Sequence, residues 1–220
     1  MLDLPVKQYL SLCSFDEDFL IGCRHKDTFV EVWNLQTAVL SGYMVKADVV
    51  WSSDVGYRNT IKCSAVLFKE PFAFIGKSNG RCDIWDVTSD ARVRCLEYDT
   101  NIANANIFLA ITKIILLKNY ILTLSQRGKI YVWDKTVCLD SSRKTGCLPV
   151  WTCSSSVSGH VISDLYADTT RLVCLETNSK DGTQQLVVKD MWHCYKNREL
   201  VIENKKLSNE KNNLPQCVKY

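Results

Sequence analysis

The stretch "GRCDIWDVTSDARVRCLEY", residues 80–98, reads as a glycine turn, an alternating run, the pair Trp85-Asp86, a short polar loop and a second run. Cys82 and Ile84 alternate with Asp83 and Trp85, a period of two that belongs to a strand and not to a helix. A pair of this kind is either a strand end met by chance or a mark that recurs. Aligning the whole chain on it gives four segments: "DFLIGCRHKDTFVEVWNL" (18–35), "PFAFIGKSNGRCDIWDV" (71–87), "NYILTLSQRGKIYVWDK" (119–135) and "TRLVCLETNSKDGTQQLVVKDM" (170–191). They end on Trp33-Asn34, Trp85-Asp86, Trp133-Asp134 and Lys189-Asp190, spaced 52, 48 and 56 residues apart. Self-similarity at such a period is the signature of a repeat architecture.

Each segment holds two strands around a turn. Val30, Val32, Cys82, Ile84, Ile130, Val132, Leu186 and Val188 share one face, and Glu31, Asp83, Tyr131 and Val187 the other. Asn79-Gly80, Arg127-Gly128 and Asp181-Gly182 supply the hairpin turns. A strand precedes each hairpin, in "YLSLCSF", "IKCSAVLF", "ITKIILL" and "VISDLYA". Another comes after it, in "TAVLSGYM", "ARVRCLEY", "LPVWTCS" and "RELVIEN". No helical period runs beyond about two turns. The expectation is an all-β domain over 1–203 made of four four-stranded meanders, at 8–44, 61–98, 107–153 and 160–203, with a polar, disordered tail over 204–220. The segments 46–60 and 134–151 read as the least regular loops.

Composition agrees with a folded domain. Hydrophobic residues make up 46% of the 220 and charged residues 23%, and a net charge of +3 gives no reason to expect nucleic acid. The longest apolar stretch, within 106–124, is broken by Lys113 and Lys118 and is too short for a bilayer span. The first 19 residues carry acids and no apolar signal core. Eleven cysteines, an odd number without any C-x-x-C pair, read as buried free thiols of a reducing, intracellular (cytoplasmic or nuclear) compartment.

The repeated strand-three endings, together with Gly159-His160 ahead of the fourth unit and the turn "SKDGT" (179–183), resemble the WD-repeat β-propeller family over about residues 8–203. The resemblance implies a propeller whose blades are tied by a His before strand one, a Ser or Thr in strand two, a turn Asp and the strand-three Trp. Here the markers are scattered: Trp33, Trp85, Asp86, Trp133 and Asp134 in three units, His160, Asp181 and Asp190 in the fourth, where Lys189 replaces the Trp. Apolar packing between sheets is therefore expected to hold the blades. Four blades form a partial or open propeller that needs further blades, another chain or self-association to close.

Catalytic patterns are thin. There is no phosphate-cradling glycine loop and no nucleophile elbow, and "WHC" (192–194) and "FDEDF" (15–19) read as ordinary loop and turn. No enzyme activity, cofactor or metal is expected. The turns between strands two and three are basic in every unit: Arg24, His25 and Lys26; Lys77 and Arg81; Arg127 and Lys129; Lys180. Gathered by radial repetition they would form a cationic rim for an acidic or phosphorylated peptide. The functional expectation is a non-enzymatic protein-interaction scaffold. The resemblance adds the role of substrate receptor in a ubiquitin-ligase complex of the F-box/WD kind, although no F-box-like segment precedes the first unit. A phosphoinositide- or RNA-binding propeller is the further alternative, with basic turns that lack interleaved aromatics.

Overall fold

A computed structural model describes residues 12–16, 18–23, 29–41, 44–54, 61–97, 110–140, 142 and 147–191. Four antiparallel sheets succeed one another along the chain. The first contains β1 (Leu12–Asp16), β2 (Phe19–Cys23), β3 (Phe29–Ser41) and β4 (Met44–Asp54), in that order. The second contains β5 (Cys63–Lys69), β6 (Phe72–Lys77), β7 (Cys82–Asp86) and β8 (Ala91–Leu96). The third contains β9 (Ile111–Leu116), β10 (Tyr120–Ser125), β11 (Ile130–Asp134) and β12 (Trp151–Cys153), with the short helix α1 (Lys135–Leu139) between its last two strands. The fourth has three strands among the described residues: β13 (His160–Ala167), β14 (Arg171–Asn178) and β15 (Gln184–Asp190). Sequential neighbours pair throughout, so each sheet is a meander and the fold is an open, propeller-like array of four sheets.

The leading strands hold the array together, with β1 against β5, β5 against β9 and β9 against β13. Between the sheets lie three apolar layers. Ile21, Val30, Val32 and Trp51 of the first sheet meet Phe68, Ala73 and Ile75 of the second. Phe74, Cys82 and Ile84 then meet Ile111, Ile121, Tyr131 and Trp133. Leu122, Leu124, Ile130 and Val132 meet Ile162, Leu165, Leu172 and Cys174. Alternation along each strand thus feeds one layer with odd positions and the next with even ones, and every internal sheet is buried on both faces.

Glycine fixes how closely two of these sheets approach. A Cβ on Gly76 of β6 would lie 2.7 Å from the Ile111 side chain of β9. Gly128, in the turn between β10 and β11, has φ of 73° and would place a Cβ 2.5 Å from the backbone nitrogen of Ile162 in β13. Any other residue there would both strain the turn and push the fourth sheet away.

Polar ties cross each junction, each of different chemistry. Trp51 Nε1 of β4 donates to Asp90 Oδ1 at 2.8 Å, and its ring lies 5.7 Å from that of Trp85. The buried Arg94 of β8 donates to the carbonyls of Cys138 and Asp140 around α1. Lys113 of β9 reaches Asp164 of β13 at 2.6 Å.

The first unit departs from the sequence expectation. Its outer strand is not 37–44: β3 runs on to Ser41, the register pairs Ser41 with Met44, and β4 occupies much of the segment read as a loop at 46–60. Asn34 makes the expected bend, its Oδ1 accepting from the Gln36 backbone N–H at 2.9 Å. The ladder then resumes at Val39 after a register shift, so the bend becomes an irregularity inside a long ribbon and not the end of a strand. Lysine, serine and aspartate within 46–54 mask the alternation there, and Trp51 is buried in the layer against the second sheet. Likewise, 134–151 is less irregular than expected, because Asp134 caps α1. The expected strand at 198–204, the tail at 204–220, Tyr57 and the "WHC" segment from Trp192 lie outside the described residues.

Candidate functional site

The tryptophans of the repeat are core residues. Trp33 and Trp133 are 2% and 0% exposed. On β11, Trp133 pairs with Ile121 of β10, and its Nε1 donates at 3.1 Å to the hydroxyl of Thr123, two residues further along that strand. This is the Trp-to-Thr leg of the tie that the family resemblance implies. The same offset from Trp33 and Trp85 falls on Gly22 and Ile75, which have no hydroxyl. Accordingly, Trp33 Nε1 and Trp85 Nε1 are buried without a hydrogen-bond partner. The residue after each Trp has a different job. Asp86 Oδ1 accepts from the backbone of Thr88 at 2.8 Å, and Asp134 Oδ1 from that of Thr136 at 3.0 Å, as Asn34 does from Gln36 at 2.9 Å. The pair therefore combines an apolar anchor with an Asx turn that redirects the chain on leaving strand three.

The fourth sheet replaces the anchor with charge. Lys189 Nζ donates to the Ser154 carbonyl at 2.9 Å and faces Glu176 Oε1 at 3.3 Å, while Ser155 Oγ donates to Glu176 Oε2 at 2.7 Å. Glu176 is fully buried. Burial pushes its carboxyl upward, but Ser155 and Lys189 outweigh that and hold it below the ordinary value. Burial would lower Lys189, yet Cys153 and Glu176 hold it above its own ordinary value. His160 and Asp181 do not complete the tie. His160 Nδ1 is buried without a hydrogen-bond partner, and Asp181 Oδ1 accepts from the Thr183 backbone and hydroxyl at 2.9 and 2.7 Å.

The basic residues are not equivalent. Arg24, His25 and Lys26 lie outside the described residues. Lys77 sits at the end of β6, half-hidden, with Nζ 2.5 Å from the buried Asp83, so it serves the interior. Arg81 Nε is 3.3 Å from Glu97. Arg127 and Lys180 are exposed in the turns after β10 and β14, and Lys129 beside the former has Nζ 5.3 Å from the centre of the Tyr131 ring. Among the described residues, no group of three or more His, Cys, Asp or Glu could hold a metal, and no helix is long and apolar enough to cross a membrane. Cys63, Cys82, Cys95, Cys138, Cys153 and Cys174 form no disulfide. Burial pushes the Cys174 thiol up to about 11, which disfavours the nucleophilic thiolate.

One surface escaped the sequence reading. Leu186 and Val188 of β15 and Tyr166 of β13 are 72%, 63% and 67% exposed. They share a face with Val173 and Leu175 of β14, since the register runs Tyr166–Val173–Val188 and then Asp164–Leu175–Leu186. Leu186 and Val188 stand where Val30 and Val32, Cys82 and Ile84, and Ile130 and Val132 stand in the other units, all of them buried against a neighbouring sheet. The alternation marked these positions as a core face, but alternation alone carries no information on whether a further sheet covers it.

No family model matches the chain, and no curated protein does. Among solved structures, the computationally designed Ika4 protein is similar over 82% of this chain and 91% of its own, at 18% identity and a TM-score of 0.52. The designed Ika8 protein is similar over 80% of this chain and 45% of its own, at 19% identity and a TM-score of 0.48. A chain of a mitotic checkpoint complex is similar over 86% of this chain and 55% of its own, at 18% identity and 0.49. At such identity the Ika4 likeness speaks to the fold alone.

Proposed function

We propose that the chain is a non-enzymatic protein-interaction scaffold of WD-repeat type that engages a partner protein through the faces of its sheet array. The observation that carries this reading is the exposed outer face of the fourth sheet, apolar at positions the repeat buries everywhere else. Contiguous exposed apolar surface with a polar margin is what protein-contact sites present. The test is affinity capture on the intact chain, wild type against Leu186→Lys/Val188→Lys. Discrete proteins held by the wild type and lost from the variant are expected; the same proteins on both, or none on the wild type, would overturn the reading.

Arg127, Lys129 and Lys180, all exposed, favour a finer second reading in which the turn end of the array takes an acidic or phosphorylated peptide. Titrating a phosphorylated and an unphosphorylated peptide of the same sequence tests it. Phosphate-dependent binding, weakened at least tenfold by Arg127→Glu/Lys129→Glu, is expected, and equal binding of the two peptides sinks it.

A further inference from the structure

We infer that the outer face of the fourth sheet packs against the same face of a second copy of this chain, across a two-fold axis. The inference rests on the scaffold reading and names the occupant of its surface.

The face is laid out as a self-complementary patch. Four cross-strand rows cover it: Arg171–Asp190, Tyr166–Val173–Val188, Asp164–Leu175–Leu186 and Thr177–Gln184. The two middle rows supply an apolar centre of Tyr166, Val173, Val188, Leu175 and Leu186. At the margins stand Arg171 and Asp190, Asp164, which Lys113 of β9 already holds, and neutral hydrogen-bonding side chains. A margin of one sign would repel its own copy; a margin of both signs can complement it.

The other end of the array decides the mode of association. Adding a copy head to tail would place the fourth sheet of one molecule on the outer face of the first sheet of the next. That face carries Leu20, Trp33 and Ala47, which are 6%, 2% and 5% exposed. Those three are covered, but Val49, opposite Trp33, is 37% exposed, so that face offers a smaller apolar target than Tyr166, Leu186 and Val188 of the fourth sheet. A contact of the fourth sheet with its own equivalent uses only the open face, and it closes after two molecules instead of growing into a filament.

Size sets the strength. Three strands of seven or eight residues span roughly 14 Å by 24 Å from standard strand spacing and rise. Two such faces bury on the order of 700–1,000 Å² in all, at the low end for specific contacts. A contact of that area belongs with weak, transient associations.

The experiment is sedimentation velocity on the full chain from 1 to 200 μM, with circular dichroism to confirm folding of each variant. The wild type is expected to pass from monomer to dimer across that range. Leu186→Lys/Val188→Lys, altering exposed positions only, should raise the dimer dissociation constant at least a hundredfold. Leu148→Lys, at an exposed leucine outside this face, should leave it unchanged. Arg171→Asp should weaken the dimer, and adding Asp190→Arg should recover most of the loss. A wild type that stays monomeric at 200 μM, a dimer indifferent to the Leu186/Val188 change, or growth into open-ended polymers overturns the inference. A monomeric wild type that still holds other proteins through this face leaves the scaffold reading standing. A dimer whose captured proteins ignore the Leu186/Val188 change removes that reading and keeps the inference.

Discussion

The third and fourth sheets solve one problem in two ways. Both must anchor the third strand of a meander to the second while facing the preceding sheet. The third sheet uses Trp133, fully buried, with Thr123 satisfying its only polar atom. The fourth uses Lys189, whose charge is neutralised by the buried Glu176 and whose other two donors go to the Ser154 carbonyl and Cys153 Sγ. The first solution gains from apolar area and is insensitive to pH. The second carries the desolvation of two charges and gains directional contacts that reach back to the end of the third sheet. The lesson is that the repeat keeps a position and a direction, while the chemistry at that position can change completely.

The largest effect that separates the two is expected from Trp133→Ala. Removing a fully buried indole between the second and third sheets should cost about 3–5 kcal/mol in urea unfolding. A loss under about 1 kcal/mol would mean the layer collapses onto the gap, and the anchor role would fail. Next comes Lys189→Met, which leaves Glu176 buried and uncompensated and should cost about 3 kcal/mol. Joining Glu176→Gln to it should recover most of that loss, because the cost lies in the stranded charge and not in the missing packing. If the double variant is as unstable as the single one, the fourth sheet is held by something other than this pair.

Acid should separate the sheets more gently. Glu176 titrates below its ordinary value near 4.5 in the folded chain, so the unfolded chain binds the proton first as pH falls. Its contribution is complete above about pH 4.5 and is lost as pH drops through the lower folded value. Lys189, raised above its ordinary 10.5, contributes fully below that value and loses its contribution only as pH rises through the folded one. The stability gap between wild type and Lys189→Met should thus be flat from pH 6 to 8 and shrink steadily below pH 4, whereas the gap for Trp133→Ala stays constant. Urea midpoints at four pH values would check this. A Lys189→Met gap that widens in acid would reverse the sign argued here.

How much of this could be read from the sequence depends on what period-two alternation encodes. It encodes faces, so the layers built from Val30, Val32, Cys82, Ile84, Ile130 and Val132 were legible, as was the all-β meander. The Asx role of Asn34, Asp86 and Asp134 was hidden behind the Trp-Asp resemblance, since the dipeptide reads as one mark while its halves act separately. β4 was hidden because its solvent-facing residues look like a loop. The Lys189–Glu176 pair joins residues 13 apart that the register sets opposite Leu172 and Gln185, so only the reach of the side chains reveals it. In the sequence Lys77 reads as a turn cation, because nothing local shows that its Nζ meets the buried Asp83 six residues on. Whether the outer face of the fourth sheet is covered is a matter of three-dimensional neighbours, and no local pattern contains it.

The smaller predictions test the polar half of the third-sheet solution. Thr123→Val keeps the shape but strands Trp133 Nε1, and should cost about 1 kcal/mol, since Trp33 and Trp85 already endure the same condition. The reciprocal change is finer. Ile75 occupies in the second sheet the place that Thr123 holds in the third, so Ile75→Thr brings a hydroxyl within reach of the unsatisfied Trp85 Nε1. Both Ile75→Val and Ile75→Thr lose a methylene, at about 1 kcal/mol. In a purely apolar layer the threonine should be the worse of the two, because its hydroxyl is buried without a partner. If the offset rule read from Trp133 is right, the new hydrogen bond offsets that desolvation and the two variants unfold within about 0.5 kcal/mol of each other. A threonine variant weaker than the valine by about 1–2 kcal/mol would show that the second sheet cannot adopt the third sheet's tie, and that Trp85, drawn aside onto Trp51, has left the position from which Trp133 reaches its partner.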